Sequence, residues 1–302
     1  MTYRVRALRF LQQARSRARF FSTIETVPLA YELHEPAKPV TDRQRAPILF
    51  MHGLFGSKKN NRTMSKVLAR DLGRHVYTLD LRNHGDSAHS PRHDYLAMAA
   101  DVASFIRHHQ LTKPTLIGHS MGAKTAMTLA LQEPDTVHDL VSVDNAPIDA
   151  VLGSDFGRYV QAMRKIEAAA VTKQAEADKI LEPYEPNVTI RQFLLGNLHR
   201  PRGADDAKTT LAFRVPLGVL GRALDHMGDF PFRDAAAARF PGRALFVRGT
   251  RSRYVADESI PAIGAFFPRF ELVDVDAGHW LISESPEEFR RAVVGFLASQ
   301  EC

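Results

Sequence analysis

The sequence predicts an α/β fold: a mostly parallel sheet covered by helices on both faces, with a helical cap inserted after its middle strands. Three observations carry this expectation. Short, continuous apolar runs stop at turn signals, as strands buried on both faces do. Segments of helical period alternate with those runs, the rhythm of strand–helix units. Residues 150 to 235 then break the rhythm with helix-like stretches, several prolines and glycines, and no convincing buried strand. That pattern suits a lid over the end of a sheet.

The 302 residues allow one large domain, and fractions of 44% hydrophobic and 25% charged are those of an ordinary globular chain. No stretch approaches the roughly 18 consecutive apolar residues of a membrane-spanning helix. The single cysteine is Cys302, which excludes an internal disulfide and a thiolate metal cluster. Charge is unevenly placed. The formal net charge is +6, but residues 1 to 21 hold Arg4, Arg6, Arg9, Arg15, Arg17 and Arg19 and no acid. Without those six arginines, 34 basic residues face 34 acidic ones. A nucleic-acid partner calls for basic side chains gathered on the folded body, so that function class loses its support. Segment 1–21 reads instead as a mitochondrial transit peptide, with Arg19-Phe20-Phe21-Ser22 at its cleavage site and the matrix as destination.

From there the elements follow in order. Val27 to Leu33 is expected as a first strand, and Glu35 to Arg45 as a polar connection. Ile48 to Met51 is a buried strand that stops at His52-Gly53, and Val76 to Leu81 a second that stops at Arg82-Asn83-His84-Gly85. Asp94 to His109 carries Leu96, Ala99, Ala103 and Ile106 near the helical period. Thr115 to Ile117 leads into Gly118, and the Ala-, Met- and Leu-rich run Met121 to Gln132 is a buried helix ending before Pro134. Leu140 to Val143 leads into Asp144. Tyr159 to Val171 and Lys173 to Leu181 are the cap's helix-like stretches. Leu245 to Val247 and Phe270 to Val275 complete the strands. Ser285-Pro286-Glu287-Glu288 opens the final helix over Phe289 to Leu297, with a capping residue, a first-turn proline and two acids.

One pentapeptide carries chemistry. Gly118-His119-Ser120-Met121-Gly122 sits between a strand and a helix, the context of a nucleophile elbow. Ser120 must occupy a strained turn so that its hydroxyl stands clear, and the two glycines leave room for neighbouring backbone. A serine hydroxyl needs a base. Among 13 histidines, His279 lies in the loop after the last strand, on the same rim of the sheet as Ser120. His52 and His119 flank site elements in backbone roles, and His84 and His89 come too early for the order serine, acid, histidine.

The acid has three candidates. Residues 248 to 254 hold no carboxylate, so Asp144, at the end of the strand after the elbow helix, is favoured to orient the base. Asp257 is the reserve, and Asp276 is too near His279 along the chain. Donors for a developing oxyanion are expected from the backbone N–H of Met121 and of Leu54, in the loop His52 to Ser57, with Phe55 next. No metal-ligand spacing, dinucleotide fingerprint or phosphate-binding loop is present. No cofactor is expected, and acetyl-CoA enters only as a candidate substrate.

The stretches HGLFGSKKN, LDLRNHGDS, GHSMGAKTAM, VDNAPID, AFRVPL, FVRGTRSRYV and GHW resemble the alpha/beta hydrolase superfamily over residues 26 to 300. The resemblance is to the branch that holds mitochondrial alpha/beta-hydrolase-domain-containing protein 11, small bacterial acyl esterases and fungal mitochondrial ethanol acetyltransferases. It implies an acid at Asp144, a serine at Ser252 where other branches carry the carboxylate, and a mitochondrial address. Serine at the elbow sets aside the aspartate-based dehalogenases and epoxide hydrolases. The expected function is a serine acyl hydrolase acting on small esters or thioesters through an acyl-enzyme. The alternatives are an alcohol acyltransferase making ethyl acetate from acetyl-CoA and ethanol, and a non-catalytic partner of a mitochondrial enzyme complex.

Overall fold

Seven strands form one sheet in the order β1-β3-β2-β4-β5-β8-β9. They are β1 (Tyr31–His34), β2 (Ile48–Met51), β3 (Val76–Leu79), β4 (Thr115–His119), β5 (Asp139–Val143), β8 (Arg243–Gly249) and β9 (Phe270–Val275). Strand β1 runs antiparallel to β3, and every other neighbouring pair is parallel. This computed structural model describes residues 24–36, 45–150, 155–201 and 209–299. The basic segment 1–21, its expected cleavage site, Cys302 and most of the polar connection 35–45 lie outside them.

The helices are α1 (Arg62–Leu72), α2 (Tyr95–His108), α3 (Met121–Gln132), α4 (Asp155–Ala168), α5 (Gln174–Leu181), α6 (Val188–Leu195), α7 (Leu217–Met227), α8 (Ile260–Phe266), α9 (Leu281–Glu284) and α10 (Pro286–Ala298). Side chains alternate across each strand, and this divides the core in two. Leu49, Met51, Leu116, Leu140 and Phe246 face one apolar cluster with α2 and α3. Ile48, Phe50, Ile117, Val141 and Leu245 face the other with α1 and α10. Continuous apolar runs in the sequence are thus strands buried on both faces.

From β2 the chain steps outward to β3, then returns to lay β4 on the other side of β2. The loops leaving β2 and β4 therefore diverge at their carboxyl ends and open a crevice, the place where sheets of this kind take ligands. Strand β5 lies directly beside β4, with Val143 in register with His119.

Two expectations need correction. The first strand is confined to Tyr31–His34, because the backbone ahead of it bonds to side chains of α2 and of the loop after β3 rather than to a neighbouring strand. Val27 N–H donates to Asp101, and Ala30 N–H to Ser87 Oγ. In the cap, α4 runs from Asp155 to Ala168 rather than from Tyr159 to Val171, and the two-residue strands β6 (Leu198–His199) and β7 (Ala212–Phe213) form a ladder. Strands so short leave no periodicity to read.

The loop after β3 is held by a buried ion pair. Arg82 and Asp101 have side chains of 0% exposure and meet through two bonds of 2.6 and 2.8 Å. Arg82 also donates to the carbonyls of Arg92 and Glu25, so both charges are satisfied. Removing one partner leaves the other charge buried alone. Arg82→Met is expected to lower the unfolding free energy by about 3–5 kcal/mol, measured by urea denaturation; a loss below about 1 kcal/mol would contradict this account of the loop.

Candidate active site

The crevice between the ends of β2 and β4 holds Ser120. Its backbone sits at φ 54°, ψ −114°, the strained turn expected of an elbow. Ser120 N–H donates to Val143 O, and Asn145 Nδ2 donates to Ser120 O, so β5 and its loop brace the turn.

The three polar groups favoured from sequence come together. Ser120 Oγ lies 3.0 Å from His279 Nε2, and His279 Nδ1 lies 2.7 Å from Asp144 Oδ2. Asp144 is fully buried and also accepts from Ser252 Oγ at 2.5 Å and from Gly249 N–H at 3.2 Å. A carboxylate out of water needs such donors. With Nδ1–H donated to Asp144, His279 presents Nε2 to the serine as an acceptor. The other acids are committed elsewhere. Asp257 binds Arg248 at 2.5 Å at the start of the turn before α8, and Asp276 pairs with Arg251.

The loop after β2 is set by neutral imidazoles. His52 Nδ1–H donates to Gly53 O while its Nε2 accepts Leu81 N–H. His84 Nδ1–H donates to Arg82 O, and its Nε2 accepts Phe55 N–H at 3.1 Å. Phe55 N–H is thereby consumed. Leu54 N–H and Met121 N–H, by contrast, meet no acceptor among the described residues. His119 donates Nε2–H to His279 O and fixes the loop that carries the base.

Sequence reasoning missed several supports. Tyr254 stacks on the His279 ring at 4.1 Å, Asn145 bridges β5 to the elbow, and Asn197 in the cap donates to Phe55 O. Tyr254 and Asn145 sit in quoted motifs, but their contacts join segments far apart in the chain, which no local pattern encodes.

Comparison with known proteins agrees with this architecture. Residues 46–286 match the model of a family described as alpha/beta hydrolase fold. The chain belongs to the alpha/beta hydrolase family. It is 41% identical to a Saccharomyces cerevisiae protein named "Probable alcohol acetyltransferase", over 86% of this chain and 79% of that one. It is 39% identical to the Xenopus laevis sn-1-specific diacylglycerol lipase ABHD11, over 90% of this chain and 85% of the lipase. Among solved structures it is similar to a marine microorganism esterase, with a TM-score of 0.80 and 28% identity, covering 90% of this chain and all of the esterase.

Burial sets the charge state of the supporting imidazoles. It lowers His52, pushes His84 well below its ordinary value, and brings His93 and His119 down to about 4. Unfolding frees them to titrate near 6.5. Between those values the unfolded chain binds more protons, so stability falls as pH drops from about 6.5 toward 4. The melting temperature is expected to decline already between about pH 6.5 and 4.5, above most carboxylate titrations. A flat profile across that window would contradict neutral burial.

Proposed function

We propose that the protein is a serine acyl hydrolase that cleaves esters or thioesters through an acyl-enzyme on Ser120. The observation that carries this reading is the bonded chain from Ser120 Oγ through His279 to Asp144, beside the N–H groups of Leu54 and Met121, which meet no acceptor among the described residues. Relatives named as a lipase and an esterase support the same chemistry.

His279 Nε2 takes the serine proton as Oγ attacks the carbonyl carbon. Negative charge gathers on the carbonyl oxygen, where Leu54 N–H and Met121 N–H would each lower the barrier by about 3 kcal/mol. The imidazolium then returns its proton to the departing alcohol or thiol, leaving the acyl group on Oγ. Water, deprotonated by the same histidine, attacks the acyl-enzyme and restores Ser120. Asp144 keeps the imidazole in the productive tautomer and stabilises its cation.

A second reading uses the same acyl-enzyme. If an alcohol replaces water, the product is a new ester, and the relatives named as acetyltransferases favour this route. Incubation with acetyl-CoA, with and without ethanol, distinguishes the two: ethyl acetate marks transfer, acetate alone marks hydrolysis. The Arg-rich segment 1–21 supports import into the mitochondrial matrix. The organelle-purified protein should then begin near Ser22, and an intact Met1 would count against cleavage.

The identity of the acid is tested by two neutral replacements. Asp144→Asn should lower turnover of p-nitrophenyl acetate by about three to four orders of magnitude, because it favours the wrong histidine tautomer. Asp257→Asn, which only loosens a surface ion pair, should stay within about threefold of the unsubstituted enzyme. The opposite pattern would move the acid to Asp257.

A further inference from the structure

Leu54 N–H, one of the two donors proposed for the oxyanion, belongs to the peptide group that also carries Gly53 O. A trans peptide is planar and points its N–H and C=O in opposite directions, and no described peptide bond is cis. Whatever holds Gly53 O therefore aims Leu54 N–H. Two donors hold it, His52 Nδ1–H at 2.8 Å and Gly56 N–H at 2.9 Å.

Gly56 N–H in turn shares its peptide group with Phe55 O. That oxygen accepts Asn197 Nδ2–H at 2.8 Å, from a residue 142 positions away in the cap. The bonds run with one polarity. Asn197 donates to the Phe55–Gly56 peptide, which donates to the Gly53–Leu54 peptide, which ends in Leu54 N–H. A carbonyl that accepts a hydrogen bond makes the N–H of its own peptide a better donor, so each bond strengthens the next.

The cap holds Asn197 firmly for this contact. The residue is buried between α6 and β6; its O accepts Arg214 N–H at 2.9 Å across the end of the β6–β7 ladder, and Nδ2 also donates to Leu194 O at 3.2 Å. Phe55 needs such a hold. Its φ of 61° lies in the left-handed region, where a bulky side chain is rare. His84 Nε2 takes its N–H from the core side and Asn197 takes its O from the cap side.

We propose that Asn197 is a positioning residue of the oxyanion site: from the cap, it aims and polarises Leu54 N–H through the two intervening peptide groups. This assignment deepens the acyl-enzyme reading and rests on it. The cap then completes the catalytic constellation as well as covering it.

The test is kinetic. Asn197→Leu keeps the size of the side chain and removes its donors. With p-nitrophenyl acetate, kcat should fall at least about tenfold, a part of the hundred- to thousandfold lost with a whole oxyanion donor. KM should stay within about twofold, as for an interaction made only in the transition state. The midpoint of the pH profile of kcat should not move, because the bonds among Ser120, His279 and Asp144 are untouched. Arg214→Gln is the control: it breaks the cap's ion pair with Asp86 at 3.0 Å, leaves Phe55 alone, and should keep kcat within about twofold. Asn197→Ala repeats the measurement should the leucine variant fail to fold; failure of both would make Asn197 a structural residue and overturn the assignment. An unchanged kcat, a loss carried by KM alone, a shifted pH midpoint or an equal loss in Arg214→Gln would also overturn it, while Ser120-dependent turnover keeps the hydrolase reading intact. An unsubstituted enzyme without Ser120-dependent turnover would instead remove that reading and the relay with it.

Discussion

Gly118 and Gly122 let three backbone segments approach more closely than any side chain would allow, and the site depends on that approach. A Cβ at Gly118 would lie 2.1 Å from Gly122 O, and one at Gly122 would lie 2.7 Å from both Met51 O and His52 O. Helix α3 therefore presses against its own incoming strand and against the end of β2. Ser120 is left at a positive φ, its hydroxyl standing clear of the sheet. Such strain costs about 1–3 kcal/mol, and the surrounding contacts hold it: α3 is buried along its whole length, and β5 braces the turn.

The same approach explains why the oxyanion donors and the nucleophile come from different strands yet meet. Because β2 and β4 are neighbours at the switch in strand order, the loop after β2 faces the first turn of α3. Neutral His52 and His84 then fix that loop by donating on one side and accepting on the other. An imidazolium could not accept Phe55 N–H or Leu81 N–H. Burial that keeps these rings uncharged is thus part of what shapes the site.

Much of the fold was legible because its central strands are short, apolar and buried on both faces, so each such run in the sequence maps to one strand. The elbow was legible for a local reason, since strand, glycine, serine, glycine and helix are contiguous. Asp144 could be placed because β5 had to lie beside β4. The cap's β-ladder, the true extent of β1 and the stacking of Tyr254 on His279 were not legible. Each arises from contacts between residues distant in the chain, and such contacts leave no period or spacing behind. Phe55 and Leu54 could not be separated by sequence either, because the choice turns on whether His84, 29 residues away, consumes an N–H.

Every step of the proposed chemistry passes through acylation of Ser120. Treating the purified protein with a fluorophosphonate and mapping the adduct by peptide mass spectrometry tests this most directly. A single adduct on the Ser120 peptide is the expected result. Labelling at another serine, or none at Ser120 in the folded protein, would contradict it.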